Sequence, residues 1–183
     1  MPAIVIRGPS SPEFERIAKE LNQAIDAIVT LVNDIRSRVK GNFVTTRPGL
    51  AIGSTVQNVA TVAFDFVIAG VGYTKAAVAA GTALAGSAIP QAKYGAFRLE
   101  IGTNGTIDIV AATANATGYA SADLALAGLP DVQASHAEVG TVTITKSDGA
   151  FTPGTTALNA TNVTAVYADT QTAFEAIGAA INI

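Results

Sequence analysis

Residues 94–111, YGAFRLEIGTNGTIDIVA, read as two β-strands folded back on each other, and this hairpin decides the class of the fold. Tyr94 to Ile101 and Thr106 to Ala111 form the two arms around the turn residues Thr103, Asn104 and Gly105. A two-residue loop at Asn104 and Gly105 sets Ile101 opposite Asp108. A three-residue loop with Gly105 as a bulge pairs Ile101 with Ile107 and Leu99 with Ile109. The second register keeps the buried face apolar and is the one expected. It also sets Glu100 opposite Asp108 on the other face, a like-charge pair that calls for compensation by Arg98, a cation or a neighbouring subunit.

Outward from the hairpin, the same period of two places Val62, Phe64, Phe66 and Ile68 on one face of a strand around Asp65, which the glycines of AGVGYT then turn. Toward the C-terminus, SADLALAGLP reads as a short helix from Ser121 to Ala127, ended by Gly128 and Pro130. Glu138 to Lys146 is a strand turned by Ser147, Asp148 and Gly149, and Val163 to Ala168 is a late strand. The last segment, TQTAFEAIGAAINI, favours helix through Ala173, Phe174, Ile177 and Ile181, but Gly178 weakens it and a terminal strand is the alternative. The expectation for residues 42–183 is a mainly β domain, an antiparallel β-sandwich or jelly-roll-like fold with one or two short helices.

Upstream, the period changes. Residues 12–40, PEFERIAKELNQAIDAIVTLVNDIRSRVK, form an amphipathic helix with heptad spacing: Ala18, Ile25, Val32 and Val39 at position a, Leu21, Ile28 and Ile35 at position d. Ser11 is placed to cap it, Pro12 suits its first turn, and Gly41 can end it. Glu13 and Glu15 at one end and Arg36, Arg38 and Lys40 at the other match the helix dipole. A rod of about 28 residues is roughly 40 Å long, too long for a small domain to cover easily. β-Branched residues at both seam positions favour three or more strands, so a homotrimer is expected, with these seven residues as its interface. Apolar Ile17, Ala24 and Leu31 at position g widen the stripe, and a single helix lying on its own β-domain is the alternative. The organisation expected is an extended N-terminal arm at 1–11, a trimerising helix at 12–41 and the β-domain at 42–183.

Composition agrees with burial between subunits. Charged residues make up 14% of the 183, below the roughly 25% of ordinary soluble proteins, and mean hydropathy is +0.39. Such a surface would aggregate unless much of it were covered. The longest uncharged apolar stretch, Ala76 to Ile89, is too short and glycine-interrupted to span a membrane. The N-terminus has no apolar core of secretory length, so synthesis and retention in the cytosol until assembly are expected. Absence of cysteine fits a reducing compartment and removes disulfides and thiol chemistry. A net charge of −3 argues against general nucleic-acid binding.

Little in the chain points to catalysis or a cofactor. His136 is the sole histidine; the cysteine pair that would complete a zinc deaminase signature around HAE is missing, so a surface or subunit-contact role is expected. The Gly70–Lys75 stretch lacks the spacing of a phosphate loop. Glu100 facing Asp108 has the separation of a retaining glycosidase pair or a calcium site, but the chain has no tryptophan to line a glycan cleft. Four N-glycosylation sequons, at Asn104, Asn115, Asn159 and Asn162, are read as unmodified. Tyr73, Tyr94, Tyr119 and Tyr167 are read as packing residues, with a sugar-binding face as the alternative.

The segments FDFVIAGVGYTKAA, AKYGAFRLEIGTNGTIDIV, HAEVGTVTITKSDGAFTPGTTAL and VTAVYAD cover most of residues 60–170. With the arm and the coiled-coil helix before them, the chain resembles virion structural proteins of tailed bacteriophages, of the head-fibre or capsid-decoration type. The resemblance is one of texture, with no active-site residue to carry over. It implies a non-enzymatic homotrimer, made in the host cytoplasm and built into the virion, whose partners are itself and the major capsid protein or another virion protein. No nucleic acid, membrane or cofactor is implied. Docking is expected through Ala3, Ile4, Val5 and Ile6, added to a sheet edge or groove of the coat. The alternative is a receptor- or glycan-binding tail-fibre or adhesin module, which would carry exposed tyrosines and carboxylates at one end of the β-domain.

Overall fold

The change of period at Gly41 divides the molecule. A computed structural model describes residues 12–39 and 41–170, with side chains at 12–31 and 41–170. Ala3, Ile4, Val5, Ile6, the expected cap Ser11, Lys40 and the segment from residue 171 onward lie outside the described residues, as do the side chains of Val32, Ile35, Arg36, Arg38 and Val39. In chain order the elements are α1 (Pro12–Val39), β1 (Phe43–Val44), β2 (Ala51–Ile52), β3 (Asn58–Thr61), β4 (Phe64–Ile68), β5 (Val71–Lys75), β6 (Val78–Ala83), β7 (Tyr94–Gly102), β8 (Ile107–Ala111), α2 (Ala122–Ala127), β9 (His136–Lys146) and β10 (Val163–Asp169). Two compact units result, Met1–Lys40 and Gly41–Ile183.

The first unit contains α1, 28 residues long, with Glu13 and Glu15 in its first turn, where the helix dipole favours negative charge. Arg16 and Glu20, one turn apart, form an exposed ion pair at 2.9 Å.

The second unit is mainly β. Its three antiparallel sheets have the orders β1-β4-β5, β2-β3-β6 and β10-β9-β7-β8. Alternation drives the packing: Phe64, Phe66 and Ile68 on β4 point inward while Asp65 points out. They share one core with Val44, with Val59 of the β2-β3-β6 sheet, and with Phe97, Leu99, Ile101, Val142 and Ile144 from the four-stranded sheet. This arrangement is sandwich-like. The opposite face of the four-stranded sheet is covered as well, where Ala96 and Ala112 pack beneath Ala125 of α2, with Tyr94, Tyr119 and Leu129 around them. Ser121 caps α2 by accepting from the Leu124 amide at 3.3 Å, and Gly128 ends it, as the sequence predicts.

The hairpin has the expected register, Ile101 with Ile107, Glu100 with Asp108 and Leu99 with Ile109. Gly105 has φ +71° and its amide donates to the Gly102 carbonyl at 3.0 Å, the geometry of a type I turn closed by a left-handed glycine. A tighter loop joins β4 to β5, where Ala69 and Gly70 both take positive φ and Ile68 pairs with Val71. One expectation fails nearby. Val62 is 53% exposed and off the buried face, because it lies between β3 and β4, where its amide donates to the Pro48 carbonyl and the alternation is broken.

Candidate functional site

Two features stand out among the described residues, a polar row across the four-stranded sheet and an apolar stripe along α1. The row begins on β7, where Glu100 is fully buried with Asp108 of β8 opposite on one side and Glu138 of β9 opposite on the other. Three neighbouring carboxylates are unfavourable unless each finds a partner. Arg98, two residues earlier and on the same face, donates from Nε to Glu100 Oε1 at 2.8 Å and reaches the Pro130 carbonyl with Nη2. The amide of Gln133 donates to Glu100 Oε2 at 3.2 Å. Glu138 Oε1 accepts from the Thr170 hydroxyl at 3.3 Å.

Asp108 is held by the sole histidine of the chain. His136 is partly buried, its side chain 15% exposed, and Nε2 lies 3.2 Å from Asp108 Oδ2. It stands opposite Gly102 on β7, and a Cβ at Gly102 would lie 2.9 Å from His136 Nε2. The glycine leaves the lane through which the imidazole crosses β7 to reach β8. Pairing between β7 and β9 shifts register between Leu99 and Glu100, and the extra residue, Val139, goes into the core. Gly102 is the one sequence signal of this arrangement, and it acquires meaning only once β9 is placed beside β7.

The row holds the segment from Pro130 to Gln133 over the sheet and offers no open carboxylate pair. Glu100, with no solvent exposure and three donors, cannot meet a glycan. No group of three or more metal-ligating side chains occurs among the described residues. A shallow, open depression on the β1-β4-β5 sheet, lined by Thr45, Asp65, Gly72 and Thr74, has its carboxylate already engaged, since the Thr74 hydroxyl donates to Asp65 at 2.7 Å.

The tyrosines do not form an exposed array. Tyr73 stacks on Phe66 with centroids 5.3 Å apart, Tyr94 and Tyr119 pack beneath α2, and Tyr167 is half-buried on β10. The sequon at Asn115 is buried: its carboxamide bonds both the amide and the carbonyl of Ala96, which leaves no attachment point for a glycan in the folded chain.

The apolar stripe of α1 is the second feature. Leu21 and Ile28 at position d are 43% and 61% exposed, Ile17 and Leu31 at position g are 50% and 59% exposed, and Ala18 and Ile25 at position a are half-buried. Val29 is exposed as well and lies beside the same stripe. No described helix is long and apolar enough to cross a membrane. No family model, curated protein or solved structure matches this chain.

Proposed function

We propose that this chain is a non-enzymatic structural protein of a tailed-bacteriophage virion, a homotrimeric capsid decoration or head-fibre subunit that docks on the coat through its N-terminal region. The observation that carries the reading is the exposed stripe Ile17, Leu21, Ile28 and Leu31 on a 28-residue helix. Each such side chain gains about 1.5–3 kcal/mol when fully buried, so association of three helices along the seam Ala18, Leu21, Ile25, Ile28, Val32, Ile35 and Val39 has an ample driving force. The β-domain supports a structural role differently: Glu100, Asp108 and Glu138 are spent on internal partners and the tyrosines on packing. The assignment to a virion rests on the resemblance in texture of residues 60–170, and the coat protein is the partner it implies.

Sedimentation equilibrium on the full chain tests the first half, with a mass three times that of the 18.5 kDa chain expected. A monomer at micromolar concentration overturns it. Electron microscopy of assembled particles with and without this protein tests the second half, with density at three-fold or quasi-three-fold positions of the coat expected.

A further inference from the structure

The tip of the β7–β8 hairpin holds a side chain positioned for a reaction with its own backbone. Asn104 is the only asparagine in the chain followed by glycine, and it is exposed. The amide of Thr106 donates to Asn104 Oδ1 at 2.9 Å, which folds the carboxamide over the Asn104–Gly105–Thr106 backbone. A Cβ at Gly105 would meet nothing within 4 Å, so no segment distant in sequence crowds the loop on that side. Across the gap, Lys75 Nζ on β5 donates to the Gly105 carbonyl at 2.7 Å.

We propose that Asn104 is a self-modifying site, at which the carboxamide closes on the Gly105 nitrogen to a succinimide and is then hydrolysed to aspartate and isoaspartate. The Gly105 nitrogen gives its proton to a solvent base and its electron pair forms the bond to Asn104 Cγ. The Cγ–Nδ2 bond breaks, and ammonia leaves with a proton taken from water. Water then opens one of the two imide carbonyls. No oxidant or cofactor is needed. In the tetrahedral intermediate the negative charge lies on Oδ1, the atom to which the Thr106 amide already donates, so the hairpin supplies a one-donor oxyanion site. Lys75 strengthens that donor, because the Gly105 carbonyl and the Thr106 amide belong to one peptide unit. A cation on its oxygen draws electrons from its nitrogen. Lys75 is thus a positioning residue. The opposing term is the Gly105 amide bond to the Gly102 carbonyl, a neutral backbone hydrogen bond that is given up.

The product makes the chain one unit more negative than −3 and, as isoaspartate, adds a methylene to the backbone of the hairpin loop. Hairpin tip and Lys75 then lose their register. The test is incubation of the full chain at mildly alkaline pH with peptide mapping across residues 94–111, native and in urea, beside Lys75→Met and Lys75→Arg. Native Asn104 is expected to convert at least as fast as the unfolded chain. Lys75→Met is expected to slow it about threefold, the loss of one charge-assisted donor, with Lys75→Arg restoring the rate. Native conversion slower than in urea overturns the proposal, and so does a Lys75→Met rate equal to that of the parent. The comparison of native with unfolded parent stands by itself should the Met variant fail to fold.

Discussion

Arg98 and Glu100 bind each other on the central strand β7 with side chains 8% and 0% exposed, and the energetics of such a pair are lopsided. Removing one partner strands a charge away from water, whereas replacing both by apolar groups removes the problem with the charges. Arg98→Met is expected to destabilise the β-domain by about 3–5 kcal/mol, read as a lower urea midpoint, and Arg98→Met with Glu100→Leu to recover most of that. A double variant as unstable as the single would place the loss in packing. Tyr167 gives the opposite sign. Its hydroxyl is buried without a partner among the described residues, and burial pushes its pKa above the ordinary 10.0. A group whose folded pKa is raised contributes stability below the unfolded pKa and loses it as pH rises through the folded one, so this contribution is full below about pH 10 and fades above it. Tyr167→Phe is therefore expected to leave stability unchanged or raise it by up to about 1 kcal/mol at neutral pH, and to flatten the alkaline decline of the melting temperature.

At the scale of the element, what could be read in advance was what is local. The β7–β8 register follows from three turn residues and the demand for an apolar face, and α2 from a short run ended by Gly128 and Pro130. The β2-β3-β6 sheet leaves no such trace. Its strands are two to six residues long, β6 is VAAGTA without large alternating side chains, and its pairing with β3 joins residues about twenty apart. The partner of His136 is hidden for a related reason, since its contact with Asp108 depends on strand order and on a register shift that one-dimensional alternation does not encode. The apolar stripe of α1 was legible from its heptads, but who covers it is a question of association. Ile28→Asp puts a charge at the centre of the stripe on a side chain 61% exposed in the single chain. The variant is expected to keep the far-ultraviolet signature of the β-domain, which is a separate compact unit, and to sediment as a monomer. An unchanged mass would favour the helix lying on its own β-domain.

For the whole molecule, the proposed arm and helix act together through multiplicity. A four-residue apolar strand such as Ala3–Ile6 adds few hydrogen bonds to a sheet edge and binds weakly alone. Three arms tied at one bundle engage a symmetric site at a high effective concentration, and avidity exceeds single-arm affinity by roughly 10²–10⁴ when the spacing matches. Two lesions then separate cleanly. Deletion of residues 2–9 removes every arm and leaves the seam, so a trimer that no longer cosediments with capsids is expected. Ile28→Asp leaves every arm and removes the seam, so binding should weaken toward that of a single arm and recover in part at high protein concentration. Capsid binding retained after the deletion would move the docking surface away from the arm, and binding unaffected by Ile28→Asp would remove multiplicity from the mechanism.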